Sequence, residues 1–296
     1  MAAQPTRQQT ELRTVKVVIA GVNGRMGRAS AAAILSNPDY KLVGAYDAPD
    51  AACVGKDVSQ ICQVTDPEAT GILVSNGFAD AISGSAAGIV PDVLLDFTRA
   101  DAAYANAKLA ISHGIRPVVG TSGLPADQVE ELSVMAAQKK LGAMIVPNFS
   151  VGAVLMMEFA RQAAHLFENV EIVEVHHPKK VDAPSGTAMH TADQMSKIGK
   201  QFNPKLVDEK ELIAGARGGL TEAGVRVHSL RLPGLISHQE VYFGSPGEML
   251  TIKHDSFTTD CFTKGILLAI RSVIDFDRLV VGLDKILMDK VKPLKC

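Results

Sequence analysis

The sequence predicts an α/β protein in which a doubly wound parallel sheet is joined to an α+β region with an open mixed sheet. Between residues 15 and 146, buried-strand runs alternate with helical stretches, which is typical of a parallel sheet. Between residues 225 and 253, strand patterns follow one another with short turns, which indicates an antiparallel or mixed sheet. The chain has 296 residues, long enough for two domains.

The composition argues against two classes of partner. Hydrophobic residues make up 47% and charged residues 21%, as in ordinary globular proteins. The net charge of −2, the absence of Trp and the 5% aromatic content give neither the basic field nor the stacking surfaces that nucleic acids need. No apolar run approaches the ~20 residues of a bilayer-spanning helix. We therefore expect no nucleic-acid partner and no membrane partner.

The cysteines and the N-terminal residues bear on localisation. Cys53, Cys62, Cys261 and Cys296 form no C-x-x-C pair, so we expect neither a disulfide framework nor a zinc site. This pattern favours the reducing cytoplasm. Residues 1–14 are polar and lack the apolar core of a secretory signal, which predicts a flexible tail.

The first strand pattern, Val15–Ala20, leads directly into Gly21-Val-Asn-Gly-Arg-Met-Gly27 and an Ala-rich helix over 28–35. Strand, glycine turn and helix form the start of a Rossmann-type dinucleotide-binding domain. The spacing G-x-x-G-x-x-G departs from G-x-G-x-x-G, so a purely structural turn is the alternative. Small residues nonetheless let a pyrophosphate approach the helix N-terminus. The predicted cofactor-binding residues of this turn are Gly21, Asn23, Gly24, Arg25, Met26 and Gly27.

Asp47 follows the second predicted strand, 41–46, at the distance where an acidic residue accepts the ribose 2′-hydroxyl of a dinucleotide. A carboxylate at this position favours NADH, because it repels the 2′-phosphate of NADPH. Arg25 and Arg28 would offset that repulsion. The sequence thus predicts NADH, NADPH or both as cofactor.

Further strands and helices complete the parallel sheet. The pattern predicts strands over 71–76, 93–98, 116–119 and 143–146, with helices over 102–112 and 126–140. Ligands of such sheets bind at the carboxyl ends of the strands. The residues expected there around the cofactor are Phe97, Thr98, Gly120, Thr121, Ser122, Pro147, Asn148 and Phe149.

A domain boundary is predicted at Asn148-Phe-Ser150, where Asn148 or Ser150 would cap a helix over 151–167. Beyond the next strand, 201–212 is a predicted loop. Strands are then expected over 225–232, 239–243 and 248–253, and a helix over 260–274. Arg217 and Arg231 in this region would either bind carboxylates bidentately or make structural ion pairs.

The segment from Glu171 to Ala188 carries the densest chemistry. Residues 170–175 alternate as a half-buried strand, which ends in His176, His177, Lys179 and Lys180. A helix is predicted to follow, with Pro184 in its first turn and the hydroxyls of Ser185 and Thr187 near its free N–H groups. Such a helix N-terminus binds anions. This combination predicts acid chemistry on an anionic substrate, although structural or solvated histidines are about as common in such positions.

The run from Glu174 to Ala188 resembles the signature of the dihydrodipicolinate (4-hydroxy-tetrahydrodipicolinate) reductase family, Glu-x-His-His-x-x-Lys-x-Asp-Ala-Pro-Ser-Gly-Thr-Ala. Every fixed position is present, and the resemblance extends over nearly the whole chain. Two positions depart from the family pattern. Ala48 stands where many members carry a basic residue, and Arg231-Leu-Pro-Gly234 is one residue longer than the family's Arg-x-Gly.

The resemblance implies NAD(P)H-dependent reduction of a cyclic dicarboxylate to tetrahydrodipicolinate in the diaminopimelate pathway of lysine biosynthesis. It implies His176 as general acid and Lys180 as its catalytic partner. The role of Lys179 stays open, and a solvated side chain is favoured over a catalytic one. The residues implied to hold the substrate carboxylates are His177, Lys180, Ser185, Gly186 and Thr187. It further implies a homotetramer, a dinucleotide-binding domain over 15–149 completed by 257–296, and a substrate-binding and oligomerisation domain over 150–256.

Three other functions account for only part of this pattern. A redox-sensing regulator would need the glycine turn but not His-His-x-x-Lys. A dehydrogenase for an amino acid or aldehyde would leave Asp-Ala-Pro-Ser-Gly-Thr unexplained. A zinc hydrolase built on His176 and His177 lacks H-E-x-x-H and a third ligand at a suitable spacing.

Overall fold

The protein is described by a computed structural model that covers residues 13–62, 69–83, 89–234 and 236–290. These residues divide into two compact units. The first contains the described residues up to Pro147 together with Ile266–Gly282, and the second contains Asn148–Gly265 and the described residues from Leu283 onward. Most of the predicted tail and Cys296 lie outside the described residues. In the described parts of the chain, no helix is both long enough and apolar enough to cross a membrane.

The secondary structure follows the predicted alternation. The strands are, in chain order, β1 (Val15–Ala20), β2 (Tyr40–Tyr46), β3 (Val74–Ser75), β4 (Val93–Asp96), β5 (Arg116–Val119), β6 (Ala143–Ile145), β7 (Asn169–His176), β8 (Gly219–Leu220), β9 (Arg226–Arg231), β10 (Ser237–Ser245), β11 (Glu248–Ser256) and β12 (Leu279–Val281). The helices are α1 (Arg25–Leu35), α2 (Phe78–Ser83), α3 (Ala100–Ser112), α4 (Ala126–Lys139), α5 (Val151–Ala163), α6 (Gly186–Ser196), α7 (Thr263–Ser272) and α8 (Asp284–Lys290).

The first unit is built on an all-parallel sheet in the order β12-β6-β5-β4-β1-β2-β3. This order confirms the predicted doubly wound fold. The order reverses beside β1, which pairs with β2 on one side and β4 on the other. A crevice forms at such a reversal because the connections leave β1 and β4 in opposite directions, and ligands bind at its carboxyl edge.

Small side chains allow the helices of the first unit to pack closely on this sheet. α3 buries Ala103, Ala107 and Ala110, and the first two share a core with Leu132 and Ala136 of α4. The predicted strand over 71–76 is confined to Val74–Ser75, since this edge of the sheet pairs only with the end of β2. The C-terminal segment of this unit is Ile266–Gly282, and the completion of the dinucleotide-binding domain by 257–296 stays a prediction. The functional division between the domains stays a prediction.

The second unit contains a mixed sheet in the order β11-β10-β7-β9-β8, as predicted. β7 runs parallel to β9 and antiparallel to β10. α5 and α6 cover one face of the sheet through Ala160, Ala164, Ala192 and Met195. α5 ends at Ala163, four residues before the predicted end, and Leu166 of the following turn is exposed.

The opposite face of this sheet carries both charged and apolar side chains of β7, namely Glu171, Val173 and Val175. Residues alternate between the two faces of a strand, so Val170, Ile172 and Glu174 of β7 lie on the helix-covered face while Glu171 lies on the other.

The predicted helix over 260–274 begins with a 3₁₀ turn, Thr259–Phe262, which the side chain of Thr258 caps.

Candidate active site

The glycine turn after β1 is shaped by close backbone contacts. Gly21 has a φ of +71°, a conformation that residues with a side chain rarely adopt. A Cβ on Gly27 would lie 2.2 Å from the carbonyl oxygen of Gly21 and 2.7 Å from Cα of Val22. α1 therefore packs directly against the turn, with Gly24 as its extended N-cap residue. The geometry of this turn therefore requires glycine at positions 21 and 27, whereas a Cβ on Gly24 would meet only the carbonyl oxygen of Gly21, at 3.3 Å.

Asp47 is held beside the same turn at the end of β2. Its carboxylate accepts hydrogen bonds from the backbone N–H groups of Asn23 and Ala48, both at 2.9 Å. The guanidinium of Arg28 donates to the backbone oxygen and the side-chain oxygen of Asn23, at 2.8 and 2.6 Å. Both Arg25 and Arg28 are exposed, but the guanidinium of Arg28 is engaged with the turn itself.

A cavity of about 680 Å³ lies over the carboxyl ends of the central strands of the first unit. Its volume is within the range of small-molecule sites. Five predicted cofactor residues line it, namely Gly21, Gly24, Asp47, Phe97 and Thr98. The cavity is also lined by polar residues that were not predicted from the sequence, namely Asn76, Arg99, Asp101 and Asn106. Asn76 could have been predicted, because it comes directly after a strand of the parallel sheet, where ligands bind.

Asp96 organises the turn at the end of β4. This buried carboxylate accepts from the backbone N–H and the hydroxyl of Thr98, at 2.7 and 2.6 Å, and from the side-chain amide of Asn106 at 2.8 Å. Burial raises the pKa of Asp96. The hydroxyl of Thr121 donates to the carbonyl oxygen of Thr98, and the N–H of Gly120 donates to that of Asp96. The ends of β4 and β5 are therefore tied together.

The other predicted cofactor residues do not line this cavity. The side chain of Asn23 bonds to Arg28, Gly27 is buried under the turn, and Ser122 and Pro147 are exposed. Asn148 and Phe149 belong to the second unit. A role in cofactor binding stays a prediction for the five residues that line the cavity, and equally for Asn23, Arg25, Met26, Gly27, Gly120, Thr121, Ser122, Pro147, Asn148 and Phe149.

The predicted anion-binding helix N-terminus begins at Ser185, which caps α6. Its hydroxyl accepts from the N–H of Ala188 at 3.2 Å. The prediction that Pro184 lies in the first turn was wrong, because Ser185 is the N-cap residue and the helix begins only at Gly186. The hydroxyl of Thr187 lies in the first turn and accepts a 3.5 Å hydrogen bond from the side-chain amide of Asn148.

The centre of this site is the carboxylate of Glu174, which has no exposed surface. It accepts from Nη1 and Nη2 of Arg231 at 2.9 and 2.8 Å, from Nδ1 of His176 at 2.5 Å, and from the backbone N–H of Ser185 at 3.2 Å. One carboxylate therefore links β7, β9 and the start of α6. The role of Glu174 was missed from sequence, although its position two residues before His176 placed both on one strand face.

Lys180 and His177 lie in the loop that follows β7. The ammonium of Lys180 pairs with Asp182 at 2.8 Å, and the backbone N–H of Lys180 donates to the carbonyl oxygen of His177 at 3.1 Å. Within the described residues, the buried Nδ1 atom of His177 has no hydrogen-bond partner, so it has unused bonding capacity. Lys179 is exposed.

The protonation states follow from these contacts. Burial lowers the pKa of His176, and the Glu174 carboxylate opposes that shift. Although burial opposes it, the Arg231 guanidinium holds the pKa of Glu174 below its usual range. The Lys180 ammonium lowers the pKa of Asp182. At neutral pH the free protein therefore holds a neutral imidazole beside an ionised carboxylate.

Both arginines whose role the sequence left open make ion pairs with carboxylates of β7. Arg231 pairs with Glu174 and also donates to the carbonyl oxygen of Asp182 at 2.7 Å. Arg217 pairs with Glu171 at 2.7 Å on the opposite face of the strand. The structural alternative is therefore the one observed for each arginine.

The doubly wound sheet, its glycine turn and the acidic residue after β2 define a nicotinamide-dinucleotide-dependent oxidoreductase. Comparison with known families identifies the family within this class. The model of the family domain "Dihydrodipicolinate reductase, N-terminus" matches residues 15–149. The model of the domain "Dihydrodipicolinate reductase, C-terminus" matches residues 152–287. The chain belongs to the dihydrodipicolinate reductase family.

Individual relatives agree with this assignment. The chain is 44% identical to a 4-hydroxy-tetrahydrodipicolinate reductase of Nostoc sp., over 92% of this chain and 98% of the relative. It is also 44% identical to the protein of the same name from Thermosynechococcus vestitus, over 92% of this chain and 97% of the relative.

Solved structures agree as well. Dipicolinate-bound dihydrodipicolinate reductase from Paenisporosarcina sp. TG-14 has a TM-score of 0.79 and 36% identity, and the match covers 92% of this chain and 99% of that one. An amine dehydrogenase from Mycobacterium smegmatis, at 16% identity and a TM-score of 0.63 over 91% of this chain and 95% of its own, shares the fold alone.

Proposed function

We propose that this protein reduces 4-hydroxy-tetrahydrodipicolinate, or its dehydrated form dihydrodipicolinate, to tetrahydrodipicolinate in the diaminopimelate pathway of lysine biosynthesis. The observation that carries the proposal is the buried carboxylate of Glu174, which joins His176 to the α6 N-terminus. The ammonium of Lys180 is near enough to lower the pKa of His176, although burial is the larger cause of that shift. The proposal agrees with the curated relatives of the same family. A dicarboxylate bound to the Paenisporosarcina enzyme supports the substrate class.

The residues of the first unit fit a nicotinamide dinucleotide. The exposed N-cap of α1 suits a pyrophosphate, and the carboxylate of Asp47 suits a ribose hydroxyl. When bound, the reduced nicotinamide supplies the hydride. Gly21, Gly24, Asp47, Phe97 and Thr98 would hold the cofactor.

NADH is the proposed preferred cofactor. Asp47 places a negative charge where NADPH carries its 2′-phosphate, and Ala48 adds no compensating cation. Arg28 is committed to Asn23 through two hydrogen bonds. Only the exposed Arg25 is left in this turn to favour NADPH.

The residues of the second unit supply the proton and hold the substrate. Reduction of a conjugated cyclic imine leaves an enamine carbon that must be protonated. His176 has Nδ1 bound to Glu174, which leaves Nε2 as the ring nitrogen that delivers this proton. Lys180 polarises the substrate, and His177, Lys180, Ser185, Gly186 and Thr187 bind its two carboxylates. The bound anionic carboxylates would raise the pKa of His176 and so favour its acidic form.

The test is oxidation of NADH or NADPH with substrate generated in situ by the upstream synthase from pyruvate and aspartate semialdehyde. We expect oxidation that needs both the synthase products and this protein, and a higher kcat/KM with NADH. The matched control is Lys179→Ala, in which the neighbouring exposed lysine is removed and activity is retained. A folded protein that binds NADH but oxidises neither cofactor would contradict the proposal.

A homotetramer in the cytoplasm is the proposed state of the enzyme. The open sheet of the second unit supports association, since Leu220 of the edge strand β8 and Met249 of the edge strand β11 are exposed. The free thiols of Cys53, Cys62 and Cys261 suit a reducing compartment. Sedimentation velocity would test the tetramer, and fractionation of the source cells would test the location.

A further inference from the structure

We propose that Glu174 is a positioning residue of the reaction, which fixes both the tautomer of His176 and the start of the substrate-binding helix α6. This inference rests on the proposed function, since it assigns the group that holds the proton donor in place. Glu174 lies beneath the site and has no exposed surface, so it acts through its neighbours rather than on the substrate.

The geometry gives Glu174 two tasks at once. Oε2 accepts from Nδ1 of His176 at 2.5 Å, and Oε1 accepts from the N–H of Ser185 at 3.2 Å. The guanidinium of Arg231 spans both oxygens, at 2.9 and 2.8 Å, and so fixes the plane of the carboxylate. The imidazole and the N-cap of α6 are therefore positioned by the same rigid group.

The contact with Glu174 also selects the tautomer. An ionised carboxylate can only accept, so Nδ1 of His176 must carry its proton, and Nε2 is the nitrogen that gains and loses the catalytic one. The charged groups that face His176 are Glu174 from its own strand, Arg231 from β9 and Lys180 from the following loop. Its neighbour on β10 is the uncharged Ser237. Glu174 is the anion among these three groups. Its charge stabilises the imidazolium form of His176, whereas the charges of Arg231 and Lys180 destabilise that form.

The opposite face of β7 offers a matched control. Glu171 lies three residues before Glu174 and also pairs with an arginine and a histidine. Its carboxylate meets Nη2 of Arg217 and Nε2 of His228, each at 2.7 Å. Glu171→Gln therefore removes the same charge from a similar cluster that has no contact with His176 or Ser185.

The experiment is a pH titration of the ¹⁵N-labelled histidine rings of the full-length protein by NMR, with thermal unfolding as the measure of folding. In the wild type we expect the Nδ1–H form of His176. In the Glu174→Gln variant we expect the pKa of His176 to fall by about one pH unit or more. At a fixed pH above the pKa, this shift is a tenfold loss of the imidazolium form of His176. In the same pH range, the kcat of Glu174→Gln should fall at least tenfold, and its pH profile should be displaced to lower pH. Glu171→Gln should leave the His176 signal unchanged.

An unchanged tautomer and pKa of His176 in a folded Glu174→Gln protein would overturn the inference, as would an equal change in Glu171→Gln. If Glu174→Gln does not fold, Arg231→Gln decides the matter, because it keeps the carboxylate and removes a cation. The pKa of His176 should then rise, and a fall would overturn the inference. The ring titration needs no turnover, so absence of reductase activity with an intact Glu174–His176 contact would instead contradict the proposed function.

Discussion

Gly27→Ala tests whether the close approach of α1 to the glycine turn builds the cofactor site. Helix propensity alone predicts stabilisation by about 1 kcal/mol, since Ala is favoured over Gly inside a helix. The structure predicts the opposite sign, because the new Cβ would lie 2.2 Å from the carbonyl oxygen of Gly21 and 2.8 Å from that of Val22. Both obstacles are backbone atoms, which cannot rotate away as a flexible side chain would.

The expected cost can be stated as a shift in melting temperature. Overpacking of this kind costs about 1–3 kcal/mol, and the rigidity of the obstacles favours the upper end. At about 2–4 °C per kcal/mol for a domain of 150–250 residues, Tm should fall by roughly 6–12 °C. Displacement of the α1 N-terminus should also weaken NADH binding by about tenfold or more, since the pyrophosphate site moves with it.

Thermal unfolding and a fluorescence titration with NADH would measure both effects. Gly24→Ala is the graded control in the same turn, because its Cβ would meet only the carbonyl oxygen of Gly21, at 3.3 Å. We expect a smaller loss of stability from this change. A Gly27→Ala protein with wild-type Tm and wild-type NADH affinity would refute the reasoning.

Three further predictions follow from the contacts of the two units. His176→Gln should lower kcat about 10²–10⁴-fold while the Kd of NADH measured by fluorescence stays unchanged; near wild-type turnover would contradict its role as general acid. Asp47→Ser should raise the ratio of kcat/KM for NADPH over NADH roughly tenfold, since a like-charge contact near the surface costs on the order of 1–4 kcal/mol; an unchanged ratio would mean that Asp47 does not face the ribose. Although burial opposes it, hydrogen bonds from Ser59 and Thr70 hold the pKa of Asp57 well below its usual range. The ionised Asp57 carboxylate therefore stabilises the fold above the unfolded-state pKa of about 3.9, and this stabilisation is lost as the pH falls further. Asp57→Asn should therefore be less stable than the wild type in urea near neutral pH, with the difference shrinking in acid, and equal stability at neutral pH would exclude this role.

The elements of the fold were predictable because their periodicity is local. The buried runs of β1 and β4 and the alternation of β7 are visible within a few residues of sequence, and each was found near its true bounds. The exact ends were less accessible, because they depend on capping. Pro184 suits a first helical turn by its own preference, yet the hydroxyl of Ser185 caps the helix one residue later.

The class of the protein could be predicted from local sequence, because the glycine turn, Asp47 and the run from Glu174 to Ala188 are each contiguous or nearly so. The tertiary structure decided which charges meet. Arg231 is 57 residues from Glu174, and they pair because β9 lies parallel to β7 with His176 opposite Arg231. Arg28 lies on the first turn of a helix, and its commitment to Asn23 depends on how that helix packs on the turn. Such pairings follow from strand register and helix packing, which no single segment of sequence contains.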